Sequence, residues 1–314
     1  MANLQVVGVG VSVVDVLMRM RELPTWDRER HAPASGFSLQ GGGPVATAMV
    51  AASRLGARVG CVSTAGNDDL GKAKVCALEE EGVDVSHMVI RPEPEHQVSL
   101  VFVHEDTGER IFVGLDRYES SQLRASDLDR DYVTSGEYLH VDGLRSGAAL
   151  QAAKWMREVG KQVMLDGIKT SAPSLDSGFH ALVKYVDFLV CGSGFAPALT
   201  GKTDIWEAGE AALELGPSIV VQTEGAKGCY TVTAEERFHT PAFKVKVIDT
   251  TGAGDVFHGA YLVGLLHRWN PRQCAVFASA VSAIKCTKLG GRAGIPTFEE
   301  TIAFLRERDI ELEG

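Results

Sequence analysis

The segment Val247-Ile248-Asp249-Thr250-Thr251-Gly252-Ala253-Gly254-Asp255-Val256-Phe257-His258-Gly259-Ala260-Tyr261 decides how the rest of the chain is read. Val245, Val247 and Ile248 lead as extended chain into a turn of small and hydroxylated residues. After Asp255 an apolar run through Val263 has the character of a buried helix. The order is strand, glycine-rich turn, helix. Such a turn aims several backbone N–H groups at one spot, at the positive end of a helix dipole, where an anion is favoured. Asp255 lies in the same first turn. As plain structure it is a charge-matched helix start, with glycines that permit the turn. As chemistry, it suits a group that takes a proton from a hydroxyl while the N–H groups hold the charge on a transferred phosphoryl. The dipole should keep Asp255 ionised and make it a weak base, which a loose phosphoryl transfer tolerates.

Downstream, Asn270-Pro271 caps and starts a helix of small residues that runs to Lys285. Small residues let a flat ligand such as adenine lie close, and serve plain helix packing equally. Gly290-Gly291-Arg292-Ala293-Gly294 then returns the chain toward Asp249. Upstream, strands are expected near 138–141, 162–166, 188–191 and 218–223, with helices such as 146–159 and 205–215 between them. That alternation implies parallel strands with crossover helices, a doubly wound, mostly parallel α/β sheet.

Residues 4–11 read as a buried strand. Gly8-Val9-Gly10 invites a dinucleotide-binding reading, but no third glycine or helix follows at the required place. The chain instead continues extended through 11–18, and Asp15 interrupts its apolar residues. Asp15 is read either as a strand-end cap or as a carboxylate at the C-terminal end of a parallel strand, where open α/β sheets bind ligands. Its two oxygens suit a pair of vicinal hydroxyls. Gly41-Gly42-Gly43-Pro44 opens a helix and allows close approach to backbone N–H groups. Residues 58–65 read as a second strand, with a helix to about residue 81. Between them Gly66 to Ala73 nearly forms a P-loop, but Ala73 lacks the Mg²⁺-binding hydroxyl and Asp68 and Asp69 repel phosphate. The runs 97–104 and 110–114 form a hairpin. Together with the irregular 22–39 excursion they could lie as a small sheet over the cleft.

A chain of 314 residues holds one large domain or two. The net charge of −10, with no basic run, argues against a nucleic-acid surface. No apolar stretch spans a bilayer and no leader pattern precedes residue 4, so a cytoplasmic protein without a membrane partner is expected. The six cysteines are widely spaced, which argues against zinc or a disulfide framework.

The string Asp249-Thr250-Thr251-Gly252-Ala253-Gly254-Asp255-Val256-Phe257-His258-Gly259-Ala260 resembles the C-terminal signature of the ribokinase-like carbohydrate kinases, the phosphofructokinase-B family, and 41–71 resembles their N-terminal signature. The resemblance covers essentially the whole chain. It implies a single domain over 1–314 that phosphorylates a sugar hydroxyl with ATP and Mg²⁺, under a lid formed by about 16–40 and 96–116 that often also makes a homodimer contact. It implies Asp255 as base and Gly252, Ala253 and Gly254 as anion hole. Asp15, Gly42, Gly43 and Thr47 would hold the sugar, although many members carry Asn at the position of Thr47. Thr223, Gly225 and Gly228 would hold the nucleotide, and Asp249 and Thr251 a monovalent cation such as K⁺. One departure stands out. Where many members place Mg²⁺ with Asn-x-x-Glu, this chain has Gly192 and Phe195, and Asp166 is an alternative carboxylate or equally a solvated strand end. The wording of 41–48, 255–260 and 284–296 is similar to the ketose branch, which includes ketohexokinase and sulfofructose kinase. For an anionic ketose, Arg28, Arg30 and Arg145 are candidate partners by position, but each reads more readily as a surface arginine, and no sulfonated substrate is inferred. A nucleoside kinase of the same fold and a catalytically silent, nucleotide-binding regulator are the rivals.

Overall fold

The computed structural model describes residues 4–25, 32–115, 122–144 and 146–312, apart from the side chain of Ser146. The chain begins with β1 (Val6–Val9), β2 (Val13–Met20), β3 (Gly36–Gly42) and α1 (Pro44–Arg54). Next come β4 (Val59–Val62), β5 (Thr64–Gly66), α2 (Asp69–Glu79), β6 (Val89–Arg91), β7 (Val98–His104) and β8 (Arg110–Gly114). From α3 (Arg130–Val133) strand and helix alternate: β9 (Tyr138–Val141), α4 (Ser146–Glu158), β10 (Gln162–Gly167), α5 (Ser177–Val183), β11 (Phe188–Gly192), α6 (Phe195–Thr200), α7 (Ile205–Leu213) and β12 (Ile219–Thr223). The antiparallel β13 (Cys229–Thr233) and β14 (Arg237–Thr240) precede α8 (Ala253–Leu266), α9 (Pro271–Lys285) and α10 (Phe298–Arg306).

The main sheet runs β14-β13-β12-β11-β10-β9-β1-β4, parallel from β12 to β4. Its buried strands alternate between two apolar layers, as the period of two requires. Val6, Met164, Phe188 and Val221 pack with Met49, Tyr261 and Phe277 of α1, α8 and α9. Val7, Leu139, Leu165 and Leu189 pack with Ala152, Leu182, Leu199 and Ala208 of α4 to α7. The winding reverses between β1 and β9, the switch at which open α/β sheets form a ligand crevice beyond the carboxyl ends of their strands. α1 and α8 meet where a Cβ on Gly259 would stand 2.3 Å from the Ala48 carbonyl oxygen. Only glycine permits that approach.

A second sheet, β3-β2-β7-β8, includes the expected hairpin of β7 and β8. Its inner face carries Leu17, Val101 and Val103. Three expectations need correction. Residues 245–248 are not a strand: the chain runs irregularly from the end of β14 to α8, pairing with no other strand among the described residues. The strand expected over 58–65 is two strands: β4 pairs with β1, while β5 leaves the main sheet to pair with β6. Asp15 is not at the end of a central strand. β1 stops at Val9, and Asp15 lies within β2 of the second sheet, opposite Gln40 and Ser99. The P-loop reading also fails, because Asp68 caps α2 by accepting the Gly71 N–H at 2.9 Å.

Lys74 of α2 ties together the two chain segments that lead into β2 and β7 of the second sheet. Its ammonium donates to the Ser12 carbonyl at 3.0 Å and to Gln97 Oε1 at 3.3 Å, and pairs with Glu95 at 2.6 Å. Glu95 in turn accepts the N–H groups of Gly66 and Gln97. Both side chains are only 1% exposed. Removing one partner of a buried ion pair strands the other charge, at about 3–5 kcal/mol. Lys74→Met should therefore lose about that much stability in urea unfolding, and the double variant Lys74→Met/Glu95→Gln should lose less.

Candidate active site

The turn before α8 is built so that its two sides face opposite ways. Gly252 adopts φ 71°, in the left-handed region, and is the N-cap of α8. The Ala253 N–H is taken by the Thr250 carbonyl at 3.2 Å. The amides of Gly252 and Gly254 have no acceptor among the described residues, so they are the donors free to meet an anion. Asp255 follows in the first turn, half-buried and partly open to the crevice. The expectation that the dipole makes it a weak base is overturned. Burial raises its pKa from the ordinary carboxylate value, and the charges of Arg110, Lys285 and Arg292 only partly reverse this.

On the other side of the turn, the Asp249 carboxylate accepts the N–H and hydroxyl of Thr251 at 2.8 and 2.7 Å and the Gly290 N–H at 2.7 Å. The backbone carbonyls of Asp249, at 3.1 Å, and of Thr251 both accept from the buried ammonium of Lys285. The two residues expected to bind a monovalent cation thus already share one, supplied by the chain.

Asp15 is 5% exposed, and burial raises it to about 7, with Arg292 pulling it back. Gly42 lies against it: a Cβ there would be 2.0 Å from Asp15 Oδ2. Gly43, with φ 91°, is the N-cap of α1; Pro44 brings no N–H, and the Ala46 N–H is taken by the Val11 carbonyl at 3.4 Å. Thr47 is 1% exposed, and its hydroxyl accepts from Arg292 Nε at 3.3 Å. Arg292 also donates to the Gly42 carbonyl at 2.9 Å. Thr47 therefore supports a buried guanidinium, and this guanidinium stands close enough to Asp15 and Asp255 to act on both charges.

At the carboxyl end of β12, Thr223 donates to the Cys191 carbonyl at 3.2 Å. Gly225 and Gly228, with φ 56° and 91°, shape the loop to β13. Gly192 and Phe195 bring no side-chain oxygen. Glu224 does, and it accepts from Ser193 Oγ at 3.0 Å. Asp166, at the end of β10, lies on the other side of β11, and Cys191 between them feels both charges. Burial, with Asp255 and Asp142 nearby, raises Asp166 well above the ordinary carboxylate range. Its Oδ1 is 3.5 Å from Nε2 of His258, and His140 completes a buried set of donors within 4.8 Å of one another. Burial holds both imidazoles neutral, the form that ligates metals, and the set suits a zinc-like ion better than Mg²⁺.

The second sheet reaches this site through Arg110, which donates to the Thr250 hydroxyl. A cavity of about 670 Å³ lies beside that contact, lined among others by Arg110, Phe112, Lys169 and Thr250. Arg28, Arg30 and Arg145 fall outside the described residues. Sequence reasoning names the anion turn and the Asp15 pocket but misses Lys285, Arg292, Arg110 and Glu224. The available signal is a charge at the end of a small-residue helix, an arginine among glycines, and a carboxylate inside the 223–228 glycine turn.

Residues 5–298 match the model of the pfkB family carbohydrate kinases. Ribokinase of Haemophilus influenzae is 28% identical over 278 residues, which are 86% of this chain and 88% of that protein. The crystal structure of ribokinase from Thermotoga maritima superposes with a TM-score of 0.81 at 27% identity, over 96% of this chain and 99% of that one. The structure of Arabidopsis thaliana ribokinase complexed with ribose and ATP does so with 0.80 at 21%, over 98% and 99%. The chain belongs to the pfkB family of carbohydrate kinases, with the ribokinase-like α/β fold.

Proposed function

We propose that this kinase transfers the γ-phosphoryl group of ATP to a hydroxyl of a ketose or ketose derivative. The observation that carries the reading is Asp255: a carboxylate of raised proton affinity, just beyond the Gly252 and Gly254 N–H groups, which have no acceptor among the described residues. A substrate hydroxyl between them gives its proton to Asp255. The amides of Gly252 and Gly254 meet the charge of the moving phosphoryl, and Arg110 and Arg292 add positive potential from either side. Asp15 accepts bonds from two sugar hydroxyls beside the backbone of Gly42 and Gly43. Thr47 acts through Arg292. On the nucleotide side the loop of Thr223, Gly225 and Gly228 receives the ATP. Glu224 is the carboxylate that fits Mg²⁺, which takes one or two carboxylates together with phosphates and water. Bound there, Mg²⁺ would neutralise phosphate charge.

The chain acts as one kinase domain over 1–314, with 16–40 and 96–116 as its lid. Arg110 already ties that lid to the anion turn, and closure would exclude water from the reacting atoms. The outer face of the lid exposes Phe37, Leu39, Leu100, Ile111 and Val113, an apolar patch that fits a homodimer contact. No described helix is long and apolar enough to cross a membrane, and free, mostly buried cysteines suit a reducing, cytoplasmic setting.

The ketose class is supported by the wording of the signatures and is tested by ATP consumption. The panel would be fructose, ribose, sulfofructose, fructose phosphates, tagatose phosphate, inosine and adenosine. A ketose should turn over fastest, and a preference for inosine or adenosine would replace it with a nucleoside. Asp255→Asn should lose roughly 10²- to 10⁴-fold in kcat and still bind ATP, as titration calorimetry would read. Near-normal turnover in that variant removes Asp255 as base. Asp15 adds a pH dependence. Its pKa in the folded protein is raised to about 7, so it is protonated below that pH and ionised above it. Only the ionised form accepts from two hydroxyls. Sugar affinity should weaken as pH falls through about 7, approaching roughly tenfold per unit. In Asp15→Asn that slope should vanish.

A further inference from the structure

The turn that makes an anion hole creates a complementary need. When N–H groups of a turn are kept free for an anion, the carbonyls of the peptides around them turn into the protein. Buried carbonyls without donors are costly. Here Asp249 and Thr251 direct theirs to one point behind the turn, and the Lys285 ammonium occupies that point. Lys285 is the last residue of α9 and is fully buried. The other outlets of the turn are also filled: Ser282 Oγ donates to the Ala253 carbonyl at 2.8 Å, and Gly290 and Thr251 saturate the Asp249 carboxylate.

We propose that Lys285 is a built-in monovalent cation, a positioning residue that orients the Gly252 and Gly254 amides and makes the enzyme independent of K⁺. An ammonium and K⁺ both bind carbonyl oxygens as single positive charges, and they cannot hold the same oxygens at once. The ammonium has the advantage of being tethered. It is present at every turnover, with no ion to be recruited and dehydrated. The residues around Asp249 and Thr251 therefore do not fit a free monovalent cation, contrary to what the resemblance implies. Lys285 touches neither sugar nor nucleotide. It acts on the reaction through the backbone of the turn.

The inference rests on the kinase reading for its catalytic arm only. Wild-type protein would be assayed, and its thermal unfolding followed, in potassium, ammonium and tetramethylammonium chloride at equal ionic strength. Turnover and melting temperature should not distinguish the three salts. Activation or stabilisation of the wild type by K⁺ over tetramethylammonium overturns the proposal without any variant. Lys285→Ala and Lys285→Met come next. The alanine variant should lose roughly 10- to 100-fold in kcat, with little change in the sugar KM. K⁺ or ammonium should restore part of that loss and raise its melting temperature, and tetramethylammonium should do neither. The methionine side chain fills the space, so Lys285→Met should show the loss without the rescue. An alanine variant that keeps wild-type kcat and melting temperature in every salt overturns the proposal. If the wild type phosphorylates nothing, the kinase reading fails, and the cation-specific melting shift of the alanine variant still decides the role of Lys285.

Discussion

One constraint governs this site: a peptide group has two polar ends. A loop that offers N–H groups to a phosphoryl must dispose of the matching carbonyls, and the protein interior is a costly place to leave them. Residues 249–255 solve this by facing two ways. The N–H side looks into the crevice at the switch of the sheet. The carbonyl side looks at Lys285, with the Asp249 carboxylate bracing the turn from Thr251 to Gly290. The fold supplies the parts from distant places: α8 carries Asp255, α9 ends in Lys285, and the loop after α9 brings Gly290 and Arg292.

The charges follow from the same crowding. Asp15, Asp166 and Asp255 are drawn together with too little water to hold three full negative charges comfortably, and their proton affinities rise accordingly. Arg292 tempers this from inside and Arg110 from the second sheet. For a base the result is favourable. A carboxylate fully stabilised by a helix dipole would take a proton reluctantly, whereas one held in a confined, acidic neighbourhood takes it more readily.

Much of this is legible in the chain alone. The glycine turn and helix of 249–263 announce themselves by composition, and so do the β7–β8 hairpin and the alternation after α3. Local chemistry sets these features, and local chemistry is what a sequence displays. Lys285 is not legible, because a lysine in the last turn of a helix is ordinarily a solvent-exposed partner of the helix dipole. Its burial depends on Asp249, 36 positions earlier. Arg292 is hidden likewise, since its partners Gly42 and Thr47 lie 250 and 245 positions away. Asp15 reads as a ligand group but on the wrong strand, because nothing in 10–12 says that the chain leaves the main sheet there.

The contact between Gly259 and the Ala48 carbonyl concerns more than packing. α1 begins at the proposed sugar pocket and α8 at the proposed base, and beside their side-chain packing these helices meet at a backbone contact. The two helix starts are thereby a single rigid jaw. Drift in one would carry the other with it, so the spacing between a held sugar and Asp255 is fixed when the chain folds and is not renegotiated at each encounter. Adaptation to a new sugar has little freedom along that seam. The freedom lies in the opposite jaw, where the exposed loops and strands of the second sheet can change length and side chain while the distance that matters for chemistry stays the same.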